Sequence, residues 1–160
     1  MRALIQRVSQ AEVAIQDATS GTFDGLIEGE PRRSIGRGFV IFLGVGKGDG
    51  EAEADRLWRK ISKMRIFADG EGRTNLALGD VAGELLIVSQ FTLFANCRKG
   101  NRPSFADAGD PAHAGDLYRY FCAVALRDMG AVSVGEFGAD MAVSLVNDGP
   151  FTIWLDTDEL

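Results

Sequence analysis

The stretch Phe39-Val-Ile-Phe-Leu-Gly-Val45 is a continuous apolar run of strand length. Such a run predicts a strand buried at the centre of a sheet. Apolar residues then recur at helical spacing, and Asp49 precedes them as a candidate helix cap. These residues are Ala54, Leu57, Trp58, Ile61 and Met64. The central stretch therefore predicts a strand followed by a helix that lies on the sheet.

Further strands are predicted on both sides of this unit. Ala3 to Val8 and Glu12 to Gln16 have strand composition, with a turn near Ser9-Gln10 between them. The segment from Ala18 to Arg37 is rich in glycine and charge and predicts a loop or an irregular hairpin. Glu84 to Leu93 predicts another strand.

A second helix is predicted after Asp110-Pro111, because a capping residue followed by proline is typical of a helix start. Gly130 marks its end. Three strands follow, at Val132 to Phe137, Met141 to Val146 and Phe151 to Leu155. Two helices among many strands, without strict alternation, predict an α+β domain whose sheet is mostly antiparallel or mixed.

Composition limits the class of protein. The chain has 160 residues, of which 46% are hydrophobic, so one domain with an ordinary core is expected. No apolar run approaches the ~20 residues of a membrane helix, and the N-terminus lacks the pattern of a signal peptide. We therefore expect a cytoplasmic protein with no membrane partner. A net charge of −6 opposes broad, non-specific binding to DNA or other nucleic acid, but it permits a local basic site.

Few residues are available for metal or nucleophilic chemistry. Cys97 and Cys122 are the only cysteines, and His113 is the only histidine. This set is too small for a zinc site or a disulfide framework, so no metal and no cofactor are expected. His113 is predicted to be a solvated residue in the first turn of the second helix. Ser-His-Asp and Cys-His catalysis are therefore disfavoured.

The glycine-rich segment Gly44-Val-Gly-Lys-Gly-Asp-Gly50 lies between the central strand and the first helix, where phosphate-binding loops occur. The dinucleotide fingerprint requires glycine where Asp49 stands. The P-loop requires glycine at Ile41 and serine or threonine at Gly48. Both signatures fail, and a tight turn that uses glycine for its backbone angles is predicted instead.

The segment from Ser89 to Phe105 leaves two interpretations open. Polar residues end a hydrophobic strand, and a basic turn follows. The polar residues are Ser89, Gln90 and Thr92, and the basic ones are Arg98, Lys99 and Arg102. This arrangement would suit an anionic or phosphorylated ligand. A strand that continues into a solvated loop is the alternative, which composition alone favours slightly.

A second segment, Asn147-Asp-Gly-Pro-Phe-Thr-Ile-Trp-Leu-Asp156, contains the turn signal Gly149-Pro150. Together with Ser89-Gln-Phe-Thr-Leu93, it closely resembles the D-aminoacyl-tRNA deacylase family of the bacterial and eukaryotic kind. Four further stretches resemble the same family: Leu4-Ile-Gln-Arg-Val8, Arg65 to Asp69 with Asn75-Leu76, Gly100-Asn-Arg-Pro-Ser-Phe105, and Ala139 to Val146.

The resemblance implies a homodimer with a barrel-like sheet, whose substrate is the 3′ end of aminoacyl-tRNA. Family members hydrolyse the ester that joins a D-amino acid, or glycine, to the terminal adenosine. Gly149-Pro150 would be a Gly-cisPro pair that enters the pocket of the other subunit. Its carbonyl oxygens would exclude an L side chain by steric clash. Glycine, which has no side chain, would pass.

The resemblance also assigns roles within the site. Ser89, Gln90, Phe91 and Thr92 would form the catalytic wall, with main-chain N–H groups near Phe91 and Thr92 stabilising an oxyanion. The 2′-hydroxyl of the terminal ribose would activate water; a nucleophilic Thr92 is the competing idea. The supporting residues would be Arg7, which braces the Gly-Pro segment, and Met141 and Asn147. Arg98, Lys99 and Arg102 would contact tRNA.

Two further points stay open. The segment 18–37 is longer than the usual family hairpin and is predicted to be a loop insertion; an extra tRNA contact is the alternative. A non-catalytic module that binds the acceptor end of tRNA on the same fold is the alternative function. The intact motifs favour an enzyme, since a binding module needs no chiral filter. An archaeal-type deacylase with metal ligands is disfavoured by the single histidine.

Overall fold

The computed structural model describes residues 1–16 and 32–160. Most of the predicted loop 18–37 lies outside the described residues. The strands are β1 (Arg2–Gln16), β2 (Arg32–Ile35), β3 (Gly38–Gly44), β4 (Phe67–Ala68), β5 (Thr74–Leu76), β6 (Glu84–Ser89), β7 (Ser133–Val134) and β8 (Asp140–Asp156). The α-helices are α1 (Glu51–Ser62) and α2 (Pro111–Met129), and the short 3₁₀ turns are Gly79–Val81, Phe91–Phe94 and Thr157–Glu159.

The main sheet is mixed and strongly curved. Strand β1 pairs antiparallel with β8 along nearly its whole length, and also with β3 and β2. Strands β3, β6 and β7 are parallel neighbours. The guanidinium of Arg33 on β2 donates to the Val134 carbonyl on β7, so the two ends of the sheet approach each other. The predicted α+β class, the mixed barrel-like sheet and the two helices are confirmed.

Strand β3 is covered on both faces, as its continuous apolar sequence predicts. Phe39, Ile41 and Leu43 face the helices and join the larger hydrophobic cluster, which includes the buried faces of α1 and α2. Val40 faces the other way, into a smaller cluster with residues of β1, β2 and β6. The prediction of a central buried strand is confirmed.

The predicted turn near Ser9-Gln10 is wrong, because β1 is one continuous strand. Its pairing with β8 shifts register between Gln6 and Val8, and again between Val8 and Gln10. The second shift places one extra residue, Ser9, on β1, and the first leaves Asp148 to Phe151 of β8 without partners on β1; neither ends the strand. The break in the hydrophobic pattern therefore reflects a bulge.

The start of α1 also differs from its prediction. Gly50 is the N-cap, and the Glu53 carboxylate accepts the Gly50 N–H at 2.9 Å. Asp49 accepts the Gly46 N–H at 2.5 Å instead, so it stabilises the preceding loop. The predictions for α2 are confirmed. Asp110 caps its first turn by accepting the Ala112 N–H, and Gly130 ends it in the left-handed conformation.

The remaining strands differ from prediction in their limits. The strand predicted over Glu84 to Leu93 ends at Ser89, and a 3₁₀ turn follows. The strands predicted at 141–146 and 151–155 are one strand, β8, which continues through Gly149-Pro150. Strand β7 is shorter than predicted, and the β4–β5 hairpin was not predicted. Strand β2 lies at the end of the segment 18–37 and pairs antiparallel with β1, which agrees with the second of the two predictions for that segment, an irregular hairpin.

Candidate functional site

A cavity of about 370 Å³ opens where β3 and β6 end side by side. Parallel strands β3 and β6 are in register at Leu43 and Ser89, which brings their carboxyl ends to one edge of the sheet. Clefts at such edges are common ligand sites in sheets with parallel strands. The cavity is lined by Leu43, Val45, Ser89, Gln90, Phe91, Phe105, Ala108, Gly109, Pro111, Ala114, Tyr118, Phe137 and Gly138.

The walls of the cavity are largely apolar. Phe91 is 57% exposed and packs edge-to-face on Phe105, with ring centroids 5.1 Å apart. Tyr118 is buried, and its hydroxyl donates to the carbonyls of Ile87 and Gly135 at 2.8 and 3.2 Å. Burial raises the pKa of Tyr118 well above its ordinary value, so it remains a neutral phenol. The exposed aromatic rings are suited to a flat, partly apolar ligand.

The 3₁₀ turn Phe91–Phe94, hereafter the 91–94 turn, provides polar groups at the rim of this cavity. The Gln90 N–H donates to the Leu43 carbonyl at 2.8 Å, which fixes the turn to the end of β3. Within residues 1–16 and 32–160, the main-chain N–H groups of Phe91 and Thr92 have no acceptor. Two neighbouring free N–H groups at the start of a helical turn can bind a negative oxygen.

The Thr92 hydroxyl is exposed and accepts a hydrogen bond from the Gln90 amide nitrogen at 2.5 Å. An amide N–H is a donor and cannot take the hydroxyl proton. No His, Asp, Glu, Lys or Cys lines the described cavity. The side chains of the cavity therefore offer hydrogen bonds and shape, but no general base.

Glycines in the loop before α1 allow the 91–94 turn to approach the sheet. A Cβ atom built on Gly44 would lie 3.1 Å from the Gln90 carbonyl oxygen and 3.1 Å from the Phe94 ring. A Cβ on Gly46 would lie 2.9 Å from the same ring. Neither glycine has a positive φ. The prediction that this loop needs glycine for its backbone angles is therefore wrong at these two positions, where close packing requires glycine.

Arg2 fixes the other end of the turn, a role that the sequence did not reveal. Its Nη1 donates to the Leu93 carbonyl at 3.1 Å, and its Nε donates to Asp156 at 2.8 Å. The guanidinium also lies 4.3 Å from the centroid of the Phe94 ring, within the range of cation–π attraction. Arg2 therefore joins β1, β8 and the 91–94 turn.

The second predicted half of the site, Gly149-Pro150, lies on β8 and is exposed. The peptide bond between these residues is cis. Arg7 donates to the carbonyl of Asp148 at 3.1 Å and to that of Gly149 at 3.3 Å, and it forms an ion pair with the Asp148 carboxylate at 2.9 Å. The Asn147 amide donates to the carbonyls of Arg7 and Phe151, at 2.9 and 3.2 Å. Side chains of both β1 and β8 therefore hold the residues around the cis peptide bond in place.

The two halves do not meet within one chain. Through its partner Leu43 on β3, Ser89 is in register with Ala3 of β1. The Gly149-Pro150 segment lies beside Arg7 of β1, between the paired residues on either side of it. Four residues along a strand correspond to about 13 Å, and the three strand intervals between β6 and β8 correspond to about 14 Å. The structure therefore groups Ser89, Gln90 and Phe91 around the cavity and places Gly149 and Pro150 away from it.

The other predicted residues are also separate from the cavity. Met141 packs in the smaller hydrophobic cluster, where its sulfur lies over Gly135. Arg98, Lys99 and Arg102 are exposed on the loop between the bridged residues Asn96 and Ser104. Sequence reasoning also missed Phe105, Tyr118 and Phe137 as lining residues. Phe105 belongs to the stretch Gly100 to Phe105 that resembles the family, but no local feature of the sequence indicated that these three residues would line a cavity.

The cysteines and the histidine lie outside the cavity as well. His113 is exposed, as predicted, and its Nε2–H donates to the Asp49 carbonyl at 2.8 Å. Cys97 is exposed and Cys122 is buried, and neither is in a disulfide. In the described ranges, no three His, Cys, Asp or Glu side chains are grouped so that they could hold a metal ion. No helix among the described residues is long and apolar enough to span a membrane.

Comparison with known proteins gives matches along nearly the whole chain. Residues 4–156 match the family described as D-Tyr-tRNA(Tyr) deacylase. The chain is 51% identical to the D-aminoacyl-tRNA deacylase of Lacticaseibacillus casei (strain BL23), with 99% of both chains covered. It is 52% identical to the D-aminoacyl-tRNA deacylase of Roseiflexus sp. (strain RS-1), with 98% of this chain and 94% of that protein covered.

Solved structures give the same fold. One is named c-Myc DNA Unwinding Element Binding Protein and has a TM-score of 0.83 at 34% identity, with 98% of each chain covered. Another, a probable eukaryotic D-amino acid tRNA deacylase, has a TM-score of 0.75 at 18% identity, with 96% of this chain and 97% of the other covered. The second match supports the fold alone.

Proposed function

Because the chain belongs to the D-Tyr-tRNA(Tyr) deacylase family, we propose that it hydrolyses the ester bond between a D-amino acid and the 3′ end of a tRNA. The products are the free amino acid and the tRNA. The observation that carries this proposal is identity of about half, over nearly the full length, to proteins named D-aminoacyl-tRNA deacylase. The cavity between β3, β6 and α2 is the proposed site of the reaction.

The residues that line the cavity support its proposed role as the binding site for the end of the tRNA. Its exposed rings, Phe91 and Phe105, offer an apolar surface for the terminal adenine, since aromatic side chains stack on bases. The free N–H groups of Phe91 and Thr92 lie at the rim, where the ester carbonyl would be placed. They would stabilise the oxyanion that forms when water attacks that carbonyl. Ser89 and Gln90 complete this polar rim.

The attacking water is activated by the 2′-hydroxyl of the terminal ribose in this proposal. The described lining side chains include no carboxylate, amine, imidazole or thiol, which supports a role for the substrate itself. Thr92 as a covalent nucleophile is less well supported, because its only described side-chain partner is the Gln90 amide, a hydrogen-bond donor. One ester bond breaks, and water supplies the hydroxyl of the released acid and the proton of the ribose oxygen.

The chiral filter is proposed to come from a second subunit. Gly149 and Pro150 are too far from the cavity to act within their own chain, but they are exposed and held in place by Arg7 and Asn147. Among the described strands, β8 pairs only with β1, so the other edge of this long strand is open. Trp154 and Val146 on β8 are 44% and 49% exposed. A homodimer would cover them and bring Gly149-Pro150 of one subunit to the cavity of the other.

The filter would act through the main chain. The carbonyl oxygens of Gly149 and Pro150 would occupy the space that an L side chain needs, so an L-aminoacyl ester could not enter. A glycyl ester carries no side chain and would be hydrolysed. Arg98, Lys99 and Arg102, exposed on their loop, would contact the tRNA phosphates.

The test is deacylation of D-tyrosyl-tRNA, L-tyrosyl-tRNA and glycyl-tRNA by the purified, chelator-treated protein. We expect hydrolysis of the D and glycyl esters and survival of the L ester. If all three esters survive while the protein still binds tRNA, the proposed enzymatic function is wrong and the alternative, a non-catalytic module that binds the acceptor end of tRNA, is supported. Hydrolysis of the L ester as fast as the D ester would overturn the chiral filter and leave a general esterase.

A separate measurement tests the subunit arrangement. Analytical ultracentrifugation should give a dimer, and Trp154→Glu on the open face of β8 should shift it towards monomer with a matching loss of activity. Arg73→Glu, an exposed position between β4 and β5, is the control and should leave both the dimer and the activity unchanged. A fully active monomer would contradict the two-subunit site.

A further inference from the structure

The outward face of α1 is a stripe of positive charge that the proposed site does not use. Arg56, Arg59, Lys60 and Lys63 occur at the spacing i, i+3, i+4 and i+7, which places them on one face of a helix. All four are exposed. The buried residues Leu57, Trp58 and Ile61 occupy the opposite face. We call the four cations the α1 stripe.

The α1 stripe stands out from the charge of the rest of the protein. The chain has a net charge of −6, yet the eight residues 56–63 contain four cations and no carboxylate. The carboxylates of α1, Glu51, Glu53 and Asp55, all precede Arg56. Favourable interaction with the helix dipole explains cations in the last turn, but it does not require Arg56, which lies further back. The dipole alone therefore does not account for the stripe.

Most of the stripe is not neutralised by the protein. Within the described ranges, no carboxylate lies within 4.0 Å of Arg59, Lys60 or Lys63. Arg56 is different, since it lies 4.0 Å from Glu53 and donates to the Thr157 carbonyl at 3.2 Å. By contrast, three other exposed arginines each pair with a neighbouring carboxylate, namely Arg73, Arg119 and Arg127. The three outer cations of the stripe thus retain their charge for an external anion.

The stripe borders an open groove and starts near the proposed site. A groove of about 720 Å³ is lined by the four cations together with Met64, Glu159 and Leu160. Helix α1 follows the loop in which Gly46 packs against Phe94 of the 91–94 turn. At 1.5 Å per residue, Arg56 lies about 9 Å along the helix from Gly50. A polyanion whose end is held in the cavity can therefore continue along α1.

We propose that the α1 stripe binds the phosphate backbone of the tRNA, beyond the nucleotide held in the cavity; this rests on the proposed function. A run of cations along a groove is complementary to a chain of phosphates, and such contacts position a nucleic acid without reading its sequence. The stripe would add affinity for any tRNA. It would also explain how an acidic protein holds a polyanion, since the stripe concentrates cations on one helix face and adds to the contacts proposed for the loop of Arg98, Lys99 and Arg102.

The test compares two triple variants of equal charge. R59Q/K60Q/K63Q removes the three unpaired cations of the stripe and spares Arg56, which has structural contacts. R73Q/R119Q/R127Q removes three exposed, paired cations elsewhere. Both change the net charge from −6 to −9. Binding of uncharged tRNA is measured as a function of KCl concentration, and hydrolysis of D-tyrosyl-adenosine, which has no phosphate backbone, checks that the cavity is intact.

We expect the stripe variant to bind tRNA about tenfold more weakly at low salt. Its plot of log K against log salt should be shallower by about two to three units, since each phosphate contact contributes roughly 0.7–0.9. Hydrolysis of D-tyrosyl-adenosine should equal that of the wild type, and the control variant should retain the wild-type slope. An unchanged slope in the stripe variant, or an equal change in the control, would overturn the inference.

Binding and hydrolysis separate the two proposals. If the wild type binds tRNA through the stripe but hydrolyses no ester, the inference stands and the proposed function fails. The opposite result is that the wild type hydrolyses D-aminoacyl-tRNA, but R59Q/K60Q/K63Q has the wild-type dependence of tRNA affinity on salt. In that case the proposed function stands and the inference fails. If the wild type does not bind tRNA, both fail.

Discussion

Arg2 is a single residue on which the position of the proposed oxyanion site depends. Arg2→Lys keeps a positive charge beside Asp156 but cannot reach both that carboxylate and the Leu93 carbonyl, because lysine lacks the forked guanidinium. We expect kcat on D-tyrosyl-tRNA to fall several-fold with little change in KM, and stability to fall by about 1 kcal/mol. Steady-state kinetics and urea unfolding measure both. Arg73→Lys is the control, and an unchanged kcat would show that the turn does not need this contact.

Gly46 tests the close approach of the 91–94 turn. A Cβ at this position would press on the Phe94 ring at 2.9 Å, so Gly46→Ala must displace the ring or the loop. We expect a loss of about 1–3 kcal/mol in stability, as for other overpacked sites, together with reduced activity. Gly48→Ala is a matched control in the same loop, because a Cβ there would have no other atom within 4 Å. Equal behaviour of the two variants in urea unfolding would contradict this explanation.

At the scale of single residues, the sequence indicated part of the site. Ser89 and Gln90 could be recognised because polar residues that end a buried strand lie at a sheet edge. Phe137 and Tyr118 could not be recognised, because they reach the cavity from separate elements whose positions depend on long-range packing. Arg2 had no local signal either, since its partners, the Leu93 carbonyl and the Asp156 carboxylate, are distant in the chain.

At the scale of the element, α2 depends on its cap. Asp110→Ala removes the carboxylate that accepts the Ala112 N–H, and it should destabilise the protein by about 1 kcal/mol. Asp116→Ala, on the exposed face of the same helix, removes a surface ion pair with Arg119 and should cost less than about 0.5 kcal/mol. Thermal or urea unfolding distinguishes these values. A larger loss for Asp116→Ala would show that the cap is not the main stabiliser of the first turn.

Elements with a strong local signal were predicted well, and those shaped by pairing were not. Strand β3 and helix α1 follow from hydrophobic periodicity, which is a local property. The turn expected at Ser9-Gln10 is absent, because this segment lies in the long strand β1, which pairs with β8 on both sides of it. Gly149-Pro150 lies within β8, but Asp148 to Phe151 have no partner on β1 and interrupt the ladder there. Local composition at Ser9-Gln10 resembles a turn, and only pairing with distant residues shows that the chain stays extended there.

At the scale of the whole molecule, the buried thiol makes stability depend on pH. Burial raises the pKa of Cys122 from 9.0 to about 12, so the folded protein keeps the thiol neutral where the unfolded chain would ionise it. The contribution of this thiol is fully present below about pH 9 and is lost as the pH rises towards 12. Between pH 7 and pH 10, we expect ionisation of this thiol in the unfolded chain to lower the free energy of unfolding by roughly 1 kcal/mol.

Urea unfolding of the wild type and of Cys122→Ala at pH 7 and pH 10 measures this contribution. The variant is expected to be less stable at both pH values because it leaves a cavity, so the comparison concerns the change with pH alone. The loss of unfolding free energy between pH 7 and pH 10 should be smaller in the variant by roughly 1 kcal/mol. Identical changes in the two proteins would show that Cys122 does not titrate on unfolding.

The ladder between β1 and β8 also governs when the protein can complete its fold. It joins Arg2 to Asp156 and Gln16 to Asp140, so each pair is more than 120 residues apart in sequence. Because contacts between distant residues form slowly, closure of this ladder is expected to come late in folding. During synthesis, β1 is made more than 120 residues before the paired residues of β8, so it waits for this partner while the intervening chain is made. Until then, we expect the edge of β1 that pairs with β8 to be open to association with other chains, as an unpaired strand edge is in a folded sheet.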